Sequence, residues 1–117
     1  MAEIQLGVAE SRFADMIWEN EPISSSDLVK LADKEFSWKR TTTHTVIKRL
    51  CDKGLFVNNK GIVSSLISRE QFYSLQSIRY VEESFNGSLP AFIAAFSKGR
   101  KLGEKEIEEI RKMIDEA

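Results

Sequence analysis

Between Trp38 and Ile67 the hydrophobic period of the sequence changes from that of a helix to that of a strand, and this switch leaves few architectures open. Residues Lys39 to Lys53 contain no glycine or proline, repeat apolar side chains every three or four positions, and end on Lys53-Gly54. A cation in the last turn and a glycine after it are the expected signals of a helix carboxyl end. Leu55-Phe56-Val57 then reads as a strand, Asn58-Asn59-Lys60-Gly61 as turn chemistry, and Ile62 to Ile67 as a returning strand. Projected on a helical wheel, Thr43, Val46, Ile47 and Leu50 fall within about 100° of arc and predict a buried face. Thr41, His44, Thr45 and Lys48 fall opposite, with Thr42 and Arg49 on one flank. The outer face of this helix is therefore polar and cationic.

Two helices precede it. Ala9, Phe13, Met16 and Ile17 recur at i, i+4, i+7 and i+8 and predict an amphipathic helix from Val8 to Glu19, stopped by Asn20 to Ile23 with Pro22. Ser24-Ser25-Ser26-Asp27 resembles a capping box and opens a short second helix carrying Leu28, Val29, Leu31 and Ala32. Trp18 and Trp38 are assigned to the core as anchors. Three helices and a hairpin make a winged helix-turn-helix; a plain small α+β domain is the alternative. The expected fold class is mainly α with a small β-hairpin.

From Ser68 the pattern is helical again. Ser68-Arg69-Glu70-Gln71 is a capping box, and Phe72, Leu75, Ile78, Val81 and Phe85 repeat at helical spacing until Asn86-Gly87. Ser88 is placed to cap a helix carrying Leu89, Phe92, Ile93 and Phe96, which Gly99 closes. A last helix from Glu104 carries Ile107, Ile110 and Ile114, with Leu102 and Ile107 placed as a hydrophobic staple across Gly103. Three short amphipathic helices have little body of their own to bury these faces against, and a second copy of the chain is the economical cover. The 117 residues are thus expected to divide into a winged-helix DNA-binding domain, 1–67, and a helical dimerisation domain, 68–117. Phe72, Leu75, Ile78, Val81, Phe85, Phe92, Phe96, Ile107 and Ile110 are the expected dimer interface.

The formal net charge is −1, which by itself argues against a nucleic-acid binder. The mean hides an asymmetry: from Trp38 to Gly61 the bases are Lys39, Arg40, Lys48, Arg49, Lys53 and Lys60, and the only acid is Asp52. Acids gather elsewhere, as at Glu104, Glu106, Glu108 and Glu109, so a basic contact surface is carried on an acidic body. Thr41, His44 and Thr45 are expected toward base edges in a DNA major groove, and Lys39, Arg40, Lys48 and Arg49 toward phosphates. An imidazole titrates near neutral pH, so protonation of His44 would strengthen binding as pH falls from about 8 to 6, or His44 is a neutral polar contact; both readings stay open.

Other chemistries find little support. One histidine and one cysteine, His44 and Cys51, stand roughly 10 Å apart along the helix and make no metal site. Cys51 lies toward the buried side and reads as a packing residue rather than a sensor thiol. No nucleophile has a histidine to serve it and no Gly-x-x-x-x-Gly-Lys loop occurs, so no catalytic residue and no cofactor is expected. The longest apolar run, Leu89 to Phe96, is far short of the roughly 18 residues that span a bilayer. Met-Ala-Glu-Ile-Gln at the amino terminus lacks a signal-peptide pattern, and a cytoplasmic location is expected.

The sequence resembles the penicillinase-repressor family of bacterial transcription regulators, the BlaI/MecI/CopY type. The resemblance rests on Ala9-Glu10 and Ile17-Trp18, on Trp38 followed by Thr42, Thr45, Leu50 and Lys53-Gly54-Leu55, on Ser68-Arg69-Glu70, and on Leu102 before Glu106-Ile107. It implies a homodimeric repressor whose winged helices read a palindromic operator and whose carboxyl-terminal helices hold the dimer. It also implies release when a membrane sensor's protease pathway cuts the arm before a Phe. Ala95-Phe96 occupies that position, with Ala where Asn is usual; a ligand at the dimer interface is the other route.

Three departures from the family pattern stand out. The wing is short and carries only Lys60, so its phosphate contact should be weaker, although Asn59 and Lys60 are both expected to contact DNA. Position 44 is His where similar proteins often carry Arg or an aromatic residue. The Cys-x-Cys motifs of the copper-responsive branch are absent. The expected function is operator-binding repression, with double-stranded DNA and a second copy as partners; the alternative is an interaction module whose basic helix pairs with an acidic protein.

Overall fold

The computed structural model describes residues 6–117; the amino-terminal pentapeptide, read above for a signal peptide, lies outside the described residues. Six helices and one small antiparallel sheet follow in the order α1 (Val8–Asn20), β1 (Ile23–Ser24), α2 (Ser25–Phe36), α3 (Arg40–Asp52), β2 (Phe56–Asn59), β3 (Ile62–Ser65), α4 (Arg69–Phe85), α5 (Leu89–Gly99) and α6 (Glu104–Glu116). The architecture is mainly helical, with the winged-helix arrangement that the period switch predicts.

The core is built from one face of each of the first three helices. Phe13, Ala14 and Ile17 of α1, Leu28 and Ala32 of α2, and Val46, Ile47 and Leu50 of α3 are buried, together with Leu55, Phe56, Val63 and Phe72. Fully burying a side chain of this size stabilises by about 1.5–3 kcal/mol, which is what drives the amphipathic faces together. Ala9, expected on the buried face of α1, is exposed in the first turn, and Ala14 takes its place.

The turn between α2 and α3 is made by Ser37, whose left-handed backbone (φ 56°) ends α2 while its N–H bonds the Asp33 carbonyl at 2.9 Å. A left-handed non-glycine residue is disfavoured sterically. Just beyond it, the Trp38 ring lies tilted against Phe36 at 4.8 Å and Phe13 at 5.2 Å between ring centres.

The hairpin is part of a three-stranded sheet of order β1-β3-β2, so the expected two strands are corrected to three. Ile23 pairs with Val63 and Ser24 with Ile62. Ser24 escaped notice as a strand residue because it also caps α2, its hydroxyl accepting from the Asp27 N–H at 3.0 Å. The wing turn is tighter than expected: Asn58 and Asn59 belong to β2, Asn59 pairs with Ile62, and only Lys60 and Gly61 link the strands. Both have positive φ, 52° and 88°, as a two-residue turn that matches strand twist requires. At the sheet's other end a Glu21 Oε1 accepts from the Ser65 N–H at 2.8 Å and its hydroxyl at 2.6 Å, fastening the entry of β1 to β3.

Ser68 opens α4 with a reciprocal capping box: its Oγ accepts from the Gln71 N–H at 3.0 Å, and Gln71 Oε1 accepts from the Ser68 N–H at 2.8 Å. The first two turns of this helix pack on the winged-helix body. Phe72 is 1% exposed and lies 5.4 Å from the Trp18 ring, while the Trp18 indole N–H donates to the Ile67 carbonyl at 3.1 Å. Phe72 is therefore a core residue and is removed from the expected dimer interface.

The chain divides into two compact units, one ending at Gln76 and the other Ser77–Ala117. In the second, Asn86 and Gly87 take positive φ and end α4, and Ser88 caps α5 by accepting from the Ala91 N–H at 3.1 Å. Tyr80, Phe85, Phe92 and Phe96 form a chain of ring contacts 5.5–6.2 Å apart. Neither α5 nor α6 has a buried residue. Leu75, Ile78 and Phe96 are exposed, and Val81, Phe85, Phe92, Ile107 and Ile110 are half-buried within the single chain. No described helix is long and apolar enough to cross a membrane.

Candidate nucleic-acid interface

Helix α3 sorts its side chains as its periodicity dictates. Thr43, Val46, Ile47 and Leu50 are buried, whereas Arg40, Thr41, Thr42, His44, Thr45, Lys48 and Arg49 are exposed, as is Lys39 at the amino cap. Thr43 can be buried because its hydroxyl donates to the Lys39 carbonyl at 3.1 Å, leaving no unsatisfied donor in the core. On the opposite face Thr45 donates to the Thr41 carbonyl at 2.9 Å and keeps its lone pairs and its methyl group for a partner.

Several cations of the chain are ion-paired, and those of this face are not. Lys30, Lys53, Arg69, Arg79 and Arg100 all lie against carboxylates. Lys39, Arg40, Lys48 and Arg49 have no such partner among the described residues. The first turn of α3 carries no acid and Lys39 supplies no side-chain cap, so the positive end of the helix dipole adds to the two cations beside it. The surface is thus positive and rich in hydroxyls.

The wing stands beside it. Asn59 and Lys60 are exposed at its tip, and Asn58 spends its side-chain oxygen inside the turn, accepting from the Gly61 N–H at 2.9 Å. His44, Ile47, Lys48 and Cys51 of α3 border one groove with Phe56, Val57 and Asn58 of β2 and with Leu66. Of the expected contact residues, His44 and Lys48 line this groove; Asn59 and Lys60 do not.

Sequence reasoning missed the apolar side of the wing. Val57, Ile62 and Leu66 are 38%, 47% and 60% exposed, an apolar strip on a sheet of three short strands. In the sequence they look like ordinary strand residues bound for the core. Cys51 is half-buried, and burial first, then the Asp52 charge, push its thiol up from the ordinary 9.0, against the Asn58 backbone N–H. That supports packing rather than reactivity.

A short helix with a cationic, hydroxyl-bearing outer face beside a β-hairpin suits insertion into the major groove of a duplex, which admits one α-helix. Comparison with known proteins agrees in kind. The family model described as penicillinase repressor matches residues 6–116. The chain is 23% identical over 116 residues to the penicillinase repressor of Bacillus licheniformis, covering 96% of this chain and 91% of that one. It is likewise 23% identical over 118 residues to the penicillinase repressor of Staphylococcus aureus, covering 97% and 94%. The methicillin resistance regulatory protein MecI of Staphylococcus aureus strain Mu50 is 23% identical over 115 residues, covering 95% and 94%.

Proposed function

The chain belongs to the penicillinase repressor family, whose members are transcriptional regulators and not enzymes, and from that premise we propose that it represses transcription as a homodimer on a palindromic DNA operator. Helix α3 reads the major groove in each half-site. Thr41, His44 and Thr45 face base edges, Lys39, Arg40, Lys48 and Arg49 face phosphates, and Thr42 contacts the duplex from the flank, with Asn59 and Lys60 of the wing at the flanking backbone.

One observation carries this reading: Lys39, Arg40, Lys48 and Arg49 stand exposed together on and at the start of one short helix, interleaved with exposed threonines, and none has a carboxylate partner among the described residues. An unpaired cationic face with interleaved hydroxyls is what displacement of counterions from a duplex requires. The helices after Ser68 would join two copies through Ile78, Val81, Phe85, Phe92, Phe96, Ile107 and Ile110, and through Leu75. Release from the operator would follow loss of that arm, by cleavage at Ala95-Phe96 in a sensor-protease pathway or by a ligand at the dimer interface. The site of action is the cytoplasm.

The test is footprinting on the DNA upstream of the protein's own gene in the presence of excess nonspecific duplex. Protection of one palindrome is the expected result. Binding that disappears under competitor would overturn operator recognition and favour an acidic protein as the partner of α3.

A further inference from the structure

The groove between α3 and the wing combines apolar walls with an unpaired cation. His44, Ile47, Lys48 and Cys51 follow at i, i+3, i+4 and i+7, so one stripe of α3 presents both charge and hydrocarbon to the same space. Facing this stripe are the buried Phe56 and the exposed Val57 and Leu66. The Leu66 N–H donates to the Leu55 carbonyl at 2.8 Å, which keeps Leu66 in the hairpin after β3 has ended. The groove holds about 530 Å³, within the range of about 300–1,000 Å³ typical of small-molecule sites.

The polar groups at its edge favour an anion. Lys48 brings an ammonium group that has no carboxylate partner among the described residues. The Asn58 side-chain oxygen already accepts from the Gly61 N–H at 2.9 Å, which leaves its amide nitrogen, a donor. His44 adds a ring N–H, and no carboxylate lines the groove. An inorganic anion would pair Lys48 but leave Val57 and Leu66 in water. A neutral apolar molecule would cover those two side chains but leave the ammonium group unpaired. Both demands are met by one kind of occupant, a hydrocarbon body ending in a single carboxylate.

We propose that this groove binds a small aromatic carboxylic acid, its carboxylate on Lys48 and its rings between Ile47, Val57 and Leu66, and that the bound acid excludes DNA. The exclusion rests on the operator reading above, in which Lys48 faces a phosphate. One ammonium group cannot serve both anions, and rings standing in the groove occupy the space between α3 and the wing that a duplex approaches. A ligand that binds only the DNA-free protein shifts the balance by mass action. Rising acid therefore releases the operator with the chain intact.

The test uses the full chain, whose single cysteine, Cys51, lines the groove. Alkylation of Cys51 by uncharged iodoacetamide thus reports occupancy there, and is blind to an acid held on the apolar helices beyond Ser77. The probe is 2-naphthoate at fixed ionic strength, with 2-naphthamide as its uncharged counterpart. Expected is a saturable slowing of alkylation by naphthoate, with the amide binding about tenfold more weakly. Naphthoate should bind about tenfold more weakly to Lys48→Gln and about fivefold more weakly to Leu66→Ser. It should release a duplex selected by the wild type from a random library over the concentration range that protects Cys51. Leu66→Ser should bind that duplex within about twofold of wild type yet need about fivefold more acid for release. Equal protection by naphthoate and naphthamide would overturn the site, as would unchanged protection in Lys48→Gln and Leu66→Ser, both shown folded by thermal unfolding. If Leu66→Ser fails to fold, Val57→Ser decides by the same ratio. Protection of Cys51 without release of the duplex would overturn the exclusion. A wild type that selects no duplex overturns the operator reading and the exclusion with it, while protection of Cys51 still decides the site.

Discussion

The Thr45 hydroxyl donates to the carbonyl of Thr41, 2.9 Å away, on the outer face of α3. With its proton engaged, Thr45 offers a partner only an acceptor oxygen and a methyl group. In a major groove the oxygen suits the amino groups of adenine N6 or cytosine N4, and the methyl suits thymine C5. The two can be separated. Thr45→Val keeps the methyl and removes the acceptor, whereas Thr45→Ser does the reverse. If the oxygen reads a base, Thr45→Val should lose about 1–3 kcal/mol of discrimination at one operator position and Thr45→Ser almost none. Competition binding over a set of single-base operator variants measures it, and unchanged discrimination in both variants would show that Thr45 reads no base.

Lys48 is exposed and unpaired among the described residues, one turn beyond His44 on the same face. Lys48→Ala should weaken binding to all duplexes alike and lower the slope of log affinity against log salt by about one, the signature of one lost phosphate contact. A salt titration by fluorescence anisotropy on the operator and on a scrambled duplex checks both points. A change confined to the operator would place Lys48 on a base instead.

Phe72 belongs to the body that α1, α2 and α3 build, so the chain should be cut beyond it. A fragment ending at Gln76 should fold, sediment as a monomer and bind a palindrome much more weakly than the full chain, having lost the second half-site. Removing the Phe72 ring alone, in Phe72→Ala, should cost about 3–5 kcal/mol because it leaves a cavity beside Trp18. Denaturant unfolding of the variant, with sedimentation of the fragment, gives both answers; a dimeric fragment would move the interface into the winged helix.

The parts of this fold that could be read in the sequence are those set by local spacing. The 13 residues of α3 fix their own phase, so its buried and exposed faces followed from the 3.6-residue period, and the Ser68 capping box followed from side chains three residues apart. What escaped depends on distant partners. β1 is two residues long and exists because Ile23 meets Val63, forty positions on. Phe72 shares the periodicity of α4 with Ile78 and Val81, and no period tells which body the first turn of a helix packs on. Arg69 owes its place to Asp15, 54 residues earlier. The polar half of the candidate site was legible for the same reason that α3 was, whereas the exposure of Val57 and Leu66 was not, because an apolar strand residue looks the same whether it faces the core or a groove.

Cys51 should react slowly. Partial burial and the neighbouring Asp52 hold its pKa above 9.0, so near pH 8 less of it is thiolate than in a free cysteine. Because the folded state binds this proton more tightly, the associated stability is present below the unfolded pKa and is lost as pH rises through the folded one. Iodoacetamide alkylation against pH should inflect above 9.0 in the native protein and at the ordinary value after denaturation. A native inflection below 9.0 would instead mark Cys51 as an activated thiol.

Cleavage at Ala95-Phe96 would have to break a helical peptide bond. Both residues lie within α5, the Phe96 carbonyl accepts from the Arg100 N–H at 2.9 Å, and the Phe96 ring contacts Phe92 at 6.2 Å and lies under the Arg100 guanidinium at 4.7 Å. Proteases bind extended chain, so α5 must open locally before it is cut, and the cutting rate then follows the population of the open form. Gly99, the last residue of α5, sets part of that population. It has no positive φ, and a Cβ added there meets nothing within 4 Å, so Gly99→Ala should stabilise the closed helix by about 0.5–1 kcal/mol. If repression is lifted by this cut, Gly99→Ala should slow both the loss of intact chain and the rise of the regulated promoter by about two- to fivefold. Immunoblotting of the chain alongside a promoter reporter follows both in the same cells. A chain that stays intact while the promoter turns on eliminates the proteolytic route, and release must then come from a ligand.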